Sequence, residues 1–367
     1  MKNYIYIRGL RRADHTVFAV ADGQKTYWDP QYNKEQAYSS GQQVKRSILD
    51  ALMEELGKGR APVQFQYKLD KKDLKKASPG EDIALQQLDP RNEDELLGGW
   101  MKASGKATKK KEDEYGGVLK RRSPLSISAM RPLHPLLSST SVEKSMTFDR
   151  SDDGNSSVQL LDHDGNLMSE EDMLAYLKEN DLFLRKAKYV DARNQKRAYG
   201  FFVYDIAIDL RRLFSVSIDK TQPEVDPAMV EQLKEEGWVE HVNSFGKSLL
   251  APAAIRESVM PALAEALTNW HITSNQSRTF SPMETLAVAV SDNANNVAGA
   301  IRARLEMDDN GRDKATPVLD DSLGELYTYV TAESYIAGVN GKGTAIEDAK
   351  ESILQKLQSY DYEHSLS

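Results

Sequence analysis

The sequence predicts an α+β protein with a ferredoxin-like core, in which helices back an antiparallel sheet and a long insertion interrupts the chain. Two segments, one at the N-terminus and one near the middle, alternate between apolar and polar residues as strands do. Each is followed by a segment of helical periodicity and then by another strand candidate. Strand, helix, strand, long polar stretch, strand, helix, strand is the order of a split βαβ fold.

The first strand is predicted over residues 3–9, "NYIYIRG", where Ile5 and Ile7 fall on one face. A second short strand is predicted over 63–67, "VQFQY", which also alternates. These two segments flank the first predicted helix and are expected to be strands of one sheet.

The first helix is predicted over residues 41–56, because its apolar residues recur on one stripe. Ser40 and Gln43 have the spacing of a capping box at its start, and Gly57 lies where a C-terminal cap belongs. Lys45 and Arg46 lie off the apolar stripe in the first turns, where the helix dipole disfavours cations. We expect a phosphate to neutralise them there.

The second half of the pattern begins at residues 199–210, the most regular alternation in the chain. A helix is predicted over 252–270, in which Pro261 calls for a break or a first-turn position. A further strand is predicted over 283–291 and an amphipathic C-terminal helix over 345–358.

The long stretch between the halves, residues 68–179, is polar and rich in turn-forming residues. Within it, 106–122 has a local net charge of +4, with seven basic and three acidic residues. Such a run is as typical of a solvated loop as of a binding segment.

Composition excludes several kinds of site. The chain of 367 residues contains no cysteine, and its six histidines form no pair at ligand spacing, so no metal site is predicted. No glycine-rich phosphate loop has the required spacing, and no cofactor is predicted. The chain has neither an apolar run of membrane-span length nor a signal-peptide pattern, so a cytosolic protein without a membrane partner is expected. A net charge of −8 excludes coating of nucleic acid by bulk charge but allows a local basic track.

Three groups of cations lie next to predicted strands and helices. A βαβ core could bring these three places to one edge of its sheet. An anionic chain lying there would meet arginine forks, lysine charges and the amides of a helix start. The candidate RNA-binding residues are Arg11, Arg12, Lys45, Arg46, Lys120, Arg121 and Arg122, with Arg8 beside them.

Several motifs resemble those of the DevR-like group of CRISPR-associated RAMP proteins. "SGQQVKRSILDAL" (40–52) resembles a Ser-Gly-Gln element that leads into a helix carrying a basic residue. "DELLGGWMKAS" (94–104) followed by "LKRRSPLSISAMRPLHP" (119–135) resembles a Gly-aromatic-Met segment before a basic Ser-Pro-Leu strand. "YGFFVYDIAIDLRRLF" (199–214) resembles the central strand of the family palm. The doubled Leu-Leu-Gly-Gly departs from the family pattern, and the region around 138–180 does not align with it.

The resemblance implies an RRM-like palm with finger and thumb insertions. Residues 1–67 would form the first part of the palm, 68–194 the insertion, and 195–367 the second part with the C-terminal helix. A thumb is expected within 102–122, and its run 106–111 is expected to be disordered in the free subunit and ordered by RNA.

The resemblance also implies a function. Members of the family are non-catalytic backbone subunits of type I Cascade-type surveillance complexes. They stack in several copies along a guide RNA and support recognition of target DNA by base pairing. The implied partners are the guide RNA, the target nucleic acid, neighbouring copies and other Cascade-type subunits. Family RNA contacts would fall on Lys45, and with it on Arg46, Arg11 and Arg12.

Two other functions remain open from the sequence. One is an endoribonuclease subunit of a type III-like complex, in which Asp14, Asp22 or Asp94 would be the catalytic loop aspartate. The other is a structural protein with no role on nucleic acid. The sequence singles out none of the three aspartates.

Overall fold

The structure is a computed structural model of the chain. It describes residues 2–18, 24–66, 83–86, 88–103, 118–142, 146–148, 158–182, 187–189, 196–272 and 280–364. The candidate thumb run 106–111 and Asp22 lie outside these residues.

The described elements are seven α-helices, twenty strands and some short 3-10 helices. The helices are α1 Gly41–Glu55, α2 Glu93–Gly98, α3 Glu170–Glu179, α4 Pro227–Glu235, α5 Ala253–Asn269, α6 Ala294–Ala300 and α7 Ala345–Gln358. The strands are β1 Tyr4–Thr16, β2 Thr26–Asp29, β3 Lys34–Ala37, β4 Val63–Gln66, β5 Ile83–Gln86, β6 Trp100–Ala103, β7 Val118–Arg121, β8 Leu125–Ile127, β9 Arg131–Pro132, β10 Ser138–Val142, β11 Met146–Phe148, β12 Ala187–Tyr189, β13 Lys196–Asp209, β14 Ser215–Ser217, β15 Val239–Asn243, β16 Gly246–Leu250, β17 Thr285–Ser291, β18 Ile301–Met307, β19 Asp313–Leu319 and β20 Glu325–Thr328.

The central sheet has the order β10-β13-β1-β17-β20, and β8 and β9 pair with β13 on the same side as β10. The first strand, β1, lies between β13 and β17 and is antiparallel to both. This is the strand order of a ferredoxin-like core, with α1 following the first strand and α5 following the third. The predicted α+β class with a ferredoxin-like core is therefore confirmed.

The second strand of the core is not the predicted one. The segment predicted over 63–67 forms β4, which pairs only with β5 in a separate hairpin. Its place beside β13 is taken by the short strands β8, β9 and β10. Residues 125–142, which the sequence assigned to the insertion, thus contribute to the central sheet.

One face of the central sheet packs against α1, α5 and α7. Large side chains of β1 and β13 enter this core together with one stripe from each helix. Its members include Ile7, Tyr204, Ile48, Leu263 and Ile353. The bounds of α1 and α7 follow their apolar stripes, as predicted. Helix α5 continues through Pro261 without ending there, because its largely buried C-terminal half is held by the core.

The opposite face is covered by a smaller apolar cluster. Leu10 of β1 and Val203 of β13 meet Val297 of α6 and Ala332 of a short 3-10 helix there. Phe201 packs against the same cluster, half-buried. Beside it, Arg8 forms a two-point ion pair with Asp205 on the neighbouring strand. None of the helices within the described ranges is long and apolar enough to cross a lipid bilayer.

Candidate nucleic-acid interface

The start of α1 is pressed against the segment that follows β8. Ser39 and Met130 exchange both backbone hydrogen bonds, at 2.9 and 3.0 Å. Gly41 comes next, and a Cβ atom at this position would lie 2.9 Å from the carbonyl oxygen of Ile127. The glycine is therefore required by close approach of two backbones. Two motifs that lie far apart in the sequence, 40–52 and 119–135, are in contact here.

Lys45 contacts a third motif, residues 94–104. Its ammonium donates to the carbonyl oxygen of Gly98 at 2.6 Å. Gly98 is the last residue of α2, where carbonyl oxygens lack partners within the helix and the dipole is negative. Burial lowers the pKa of Lys45 to about 8. We therefore assign Lys45 to holding the end of α2, in place of the phosphate contact expected from the sequence.

Arg46 also has a partner within the protein. Its Nε lies 3.1 Å from a carboxylate oxygen of Asp50 one turn later, and Arg60 pairs with the same carboxylate. The Arg46 side chain is 41% exposed, so it remains accessible to a ligand. Both cations in the first turns of α1 thus have partners within the protein.

The turn after α2 brings β7 to the same place. Gly99 has a φ of +74°, and a Cβ atom there would lie 2.7 Å from both the Arg121 carbonyl oxygen and the Ser123 nitrogen. The hydroxyl of Ser123 donates to the carbonyl oxygen of Leu97 at 2.7 Å. The end of α2 thus connects Lys45 with the Lys120–Arg122 run.

Arg121 does not reach the surface. Its side chain is fully buried and pairs with Glu224, whose side chain is 4% exposed, at 2.8 Å. It also donates to three carbonyl oxygens, those of Leu96, Arg212 and Ser215, at 2.9, 2.8 and 2.5 Å. An RNA contact by this guanidinium is excluded by its burial, and Arg121 is a structural cation.

Lys120 and Arg122, on either side of Arg121, are exposed because neighbouring residues of an extended chain point to opposite sides. Among the described residues neither side chain has a hydrogen-bond or ion-pair partner. They line a cavity of about 720 Å³. Two cations beside a cavity, with no partner in the described part of the chain, are suited to bind phosphate groups.

Arg11 and Arg12 lie apart from this cluster and on opposite faces of β1. Arg11 is buried, stacks on the ring of Trp270 at 4.0 Å and donates to its carbonyl oxygen at 2.6 Å. Burial lowers the pKa of this guanidinium. Arg12 lies between the rings of Tyr335 and Tyr199, at 4.2 and 5.5 Å from their centroids.

Sequence reasoning missed Arg212 and Phe245, which also line the cavity. The guanidinium of Arg212 lies 3.5 Å from the centroid of the Phe245 ring. The sequence signal for Arg212 was its place in an Arg-Arg pair directly after the most regular strand pattern. Nothing in the sequence indicated that Phe245, on a distant turn, would lie beside it.

Two of the three alternative catalytic aspartates, Asp14 on β1 and Asp94 on α2, lie among the described residues. Asp94 is buried and accepts from the backbone nitrogen of Ala61, and Asp14 is an exposed neighbour of Arg12. In the part of the chain that the structure describes, no three acidic or histidine side chains lie close enough to hold a metal ion.

No protein-family model and no curated protein matches this chain. Two of the solved structures that match this chain are similar to it over most of its length. One is a chain of a CRISPR RNA-guided surveillance complex described as pre-nicking, with a TM-score of 0.41, 11% identity, and coverage of 97% of this chain and 88% of that one. The other, also from a CRISPR RNA-guided surveillance complex, has a TM-score of 0.42 and 13% identity and covers 96% of this chain and 99% of that one. At these scores and identities neither similarity assigns a function to the chain.

Proposed function

We propose that this protein is a non-catalytic, guide-RNA-binding backbone subunit of a type I CRISPR surveillance complex, present in several copies along the RNA. The observation that carries the proposal is the convergence of three motifs at the start of α1. The segments 40–52, 94–104 and 119–135 resemble one family in sequence, and here they contact one another through Gly41, Lys45 and Gly99.

Three contact residues in this proposal are accessible cations, Lys120 and Arg122 beside the cavity and Arg46 on α1. The fourth is Arg12 on β1, whose side chain is 16% exposed. Contacts of this kind bind phosphate and sugar without reading bases, which suits a subunit that leaves recognition to base pairing. Since each copy needs only a short basic track, a net charge of −8 is compatible with this role.

The test is the salt dependence of affinity for single-stranded RNA. In the variant Lys120→Met/Arg122→Met, the slope of log affinity against log salt should flatten by about 1.4, at roughly 0.7 for each lost phosphate contact. The control Arg312→Met/Lys314→Met removes two exposed cations from the β18–β19 hairpin and should leave the slope unchanged. If both variants changed the salt slope equally, Lys120 and Arg122 would be ordinary surface charges.

Sequence independence is the second part of the test. RNA of one sequence and its scrambled form should bind equally at matched salt, and neither should be cut. Strong preference for one sequence would contradict backbone binding, and specific cleavage would favour the endoribonuclease.

A further inference from the structure

A second cavity lies between the end of α5, the start of β17 and the first turn of α7. Its volume of about 460 Å³ is within the range of pockets that enclose small ligands, and we refer to it as the Trp270 cavity. Apolar and aromatic side chains form much of its lining, namely Trp270, Ile272, Phe280, Pro282, Met283 and Ile346. Pockets of this kind hold a ligand by apolar walls and by a few polar groups that fix its orientation.

The lining contains one arginine, Arg11, which is a buried cation without a carboxylate partner among the described residues. It is 3% exposed and donates to the Trp270 carbonyl oxygen at 2.6 Å, but its Nε is buried without a hydrogen bond to any described residue. Burial lowers the pKa of Arg11, and the Tyr204 hydroxyl is the only described side chain that raises it. A buried charge without a counter-ion is costly to the fold. An anion at this guanidinium would offset that cost.

Uncharged donors belong to the same lining. The indole Nε1 of Trp270 is buried and has no hydrogen-bond partner within the described part of the chain. Ile346 and Glu347 lie in the first turn of α7, whose N-cap residue Thr344 makes no side-chain cap hydrogen bond. Amides of a first turn lack partners within the helix and lie at the positive end of its dipole. The lining thus combines one cation with neutral donors.

Two further features of the lining agree with a ligand site. Glu347 is the one carboxylate among the described lining residues, and it is exposed and makes no ion pair with Arg11. Met283 has a φ of +46°, a left-handed conformation that is disfavoured for a residue with a side chain. Strain of this kind is concentrated at ligand sites.

We propose that the Trp270 cavity binds a small organic monocarboxylate. Its carboxylate lies on the Arg11 guanidinium, and its apolar body packs against the Trp270 and Met283 side of the cavity. One carboxylate matches the one arginine of the lining, whereas a phosphate dianion would bring a second charge without a partner. None of the cations proposed to contact RNA lines this cavity, so the site does not depend on the proposed function.

The test compares 2-naphthoate with 2-naphthamide, which has nearly the same shape and no charge. In calorimetric titration of the full chain, naphthoate should bind about 10- to 150-fold more tightly, the range for hydrogen bonds to a charged group. Arg11→Met should abolish this difference, and Arg304→Met, at an exposed arginine outside the cavity, should keep it. Ile346→Trp fills the cavity and should weaken binding of both probes. Ile255→Trp makes the same change at a half-buried isoleucine outside the cavity and should not.

Equal binding of the two probes, or a preference for naphthoate that survives in Arg11→Met, would overturn the carboxylate site. Failure of naphthoate to bind would overturn it too, as would inorganic phosphate binding equally well, because phosphate has no apolar body. Displacement of naphthoate by saturating single-stranded RNA would assign the cavity to the RNA surface instead. Should Arg11→Met melt early, the two tryptophan variants decide, and equal binding of naphthoate by both would overturn the site. The salt-slope test of the proposed function uses other residues, so either proposal can fail alone.

Discussion

Replacing Arg121 by methionine should destabilise the fold strongly, whereas the same change at the adjacent Arg122 should not. Arg121 is the only partner of Glu224 at 2.8 Å among the described ion pairs, and it also satisfies three backbone carbonyl oxygens. Its loss leaves the carboxylate buried with only a backbone amide at 3.0 Å and Arg212 at 3.5 Å. Removing one partner of a buried pair costs about 3–5 kcal/mol of the free energy of unfolding.

Urea unfolding measures this effect through tryptophan fluorescence, since the Trp100 ring lies 5.5 Å from the Arg121 guanidinium. Arg121→Met should lower the urea midpoint markedly, because about 3–5 kcal/mol is a large share of a typical total of about 5–15 kcal/mol. Arg122→Met changes an exposed residue with no partner among the described residues and should alter stability by less than about 0.5 kcal/mol. Adding Glu224→Gln to Arg121→Met should cost less than the sum of the two single changes. If Arg121→Met unfolded at the wild-type urea midpoint, or if Arg122→Met lost as much stability as Arg121→Met, the assignment of Arg121 as buried and Arg122 as exposed would be refuted.

Two further predictions concern the contacts that bring the motifs together. Gly99→Ala should lower the melting temperature far more than Gly98→Ala. A Cβ atom at Gly99 would lie 2.7 Å from backbone atoms, whereas one at Gly98 would meet only the flexible end of a leucine side chain at 3.3 Å. Equal melting temperatures of the two variants would contradict the close approach at Gly99. Burial keeps the pKa of Lys45 at about 8 in the folded protein, below its unfolded value near 10.4. The unfolded chain therefore binds more protons between these values, so the stability of the wild type should rise relative to Lys45→Met from pH 8 to pH 10. Parallel pH profiles of the two proteins would show that Lys45 is not buried.

The parts of the fold that the sequence predicted are those with long, regular patterns. The strand that became β13 and the helices α1 and α7 repeat their apolar residues often enough to indicate both type and approximate extent. The alternation of β1 indicated its type, but the strand continues to Thr16, beyond the predicted residues 3–9. The second core strand escaped prediction because it is broken into β8, β9 and β10, with prolines between and within the pieces. The segment 63–67 alternates more cleanly, but alternation does not say which strand a segment pairs with.

The sequence predicted charged residues of the candidate site, but it did not predict what each of them contacts. The run Lys120-Arg121-Arg122 must place its middle residue opposite the outer two, but the sequence does not say which side is buried. Lys45 is bonded to a carbonyl oxygen 53 residues away, and no local pattern reveals that contact. Phe245 was missed for a related reason, since only the folded turn between β15 and β16 brings it to Arg212.

Sequencing the RNA that co-purifies with the full-length chain from its own cells tests the central claim most directly. The proposed function predicts a nuclease-sensitive absorbance near 260 nm and RNAs of defined length that share repeat-derived ends and differ in the guide portion. The Lys120→Met/Arg122→Met variant should recover less of this RNA at matched salt. Recovery of no RNA, or of fragments whose composition matches total cellular RNA, would contradict the claim.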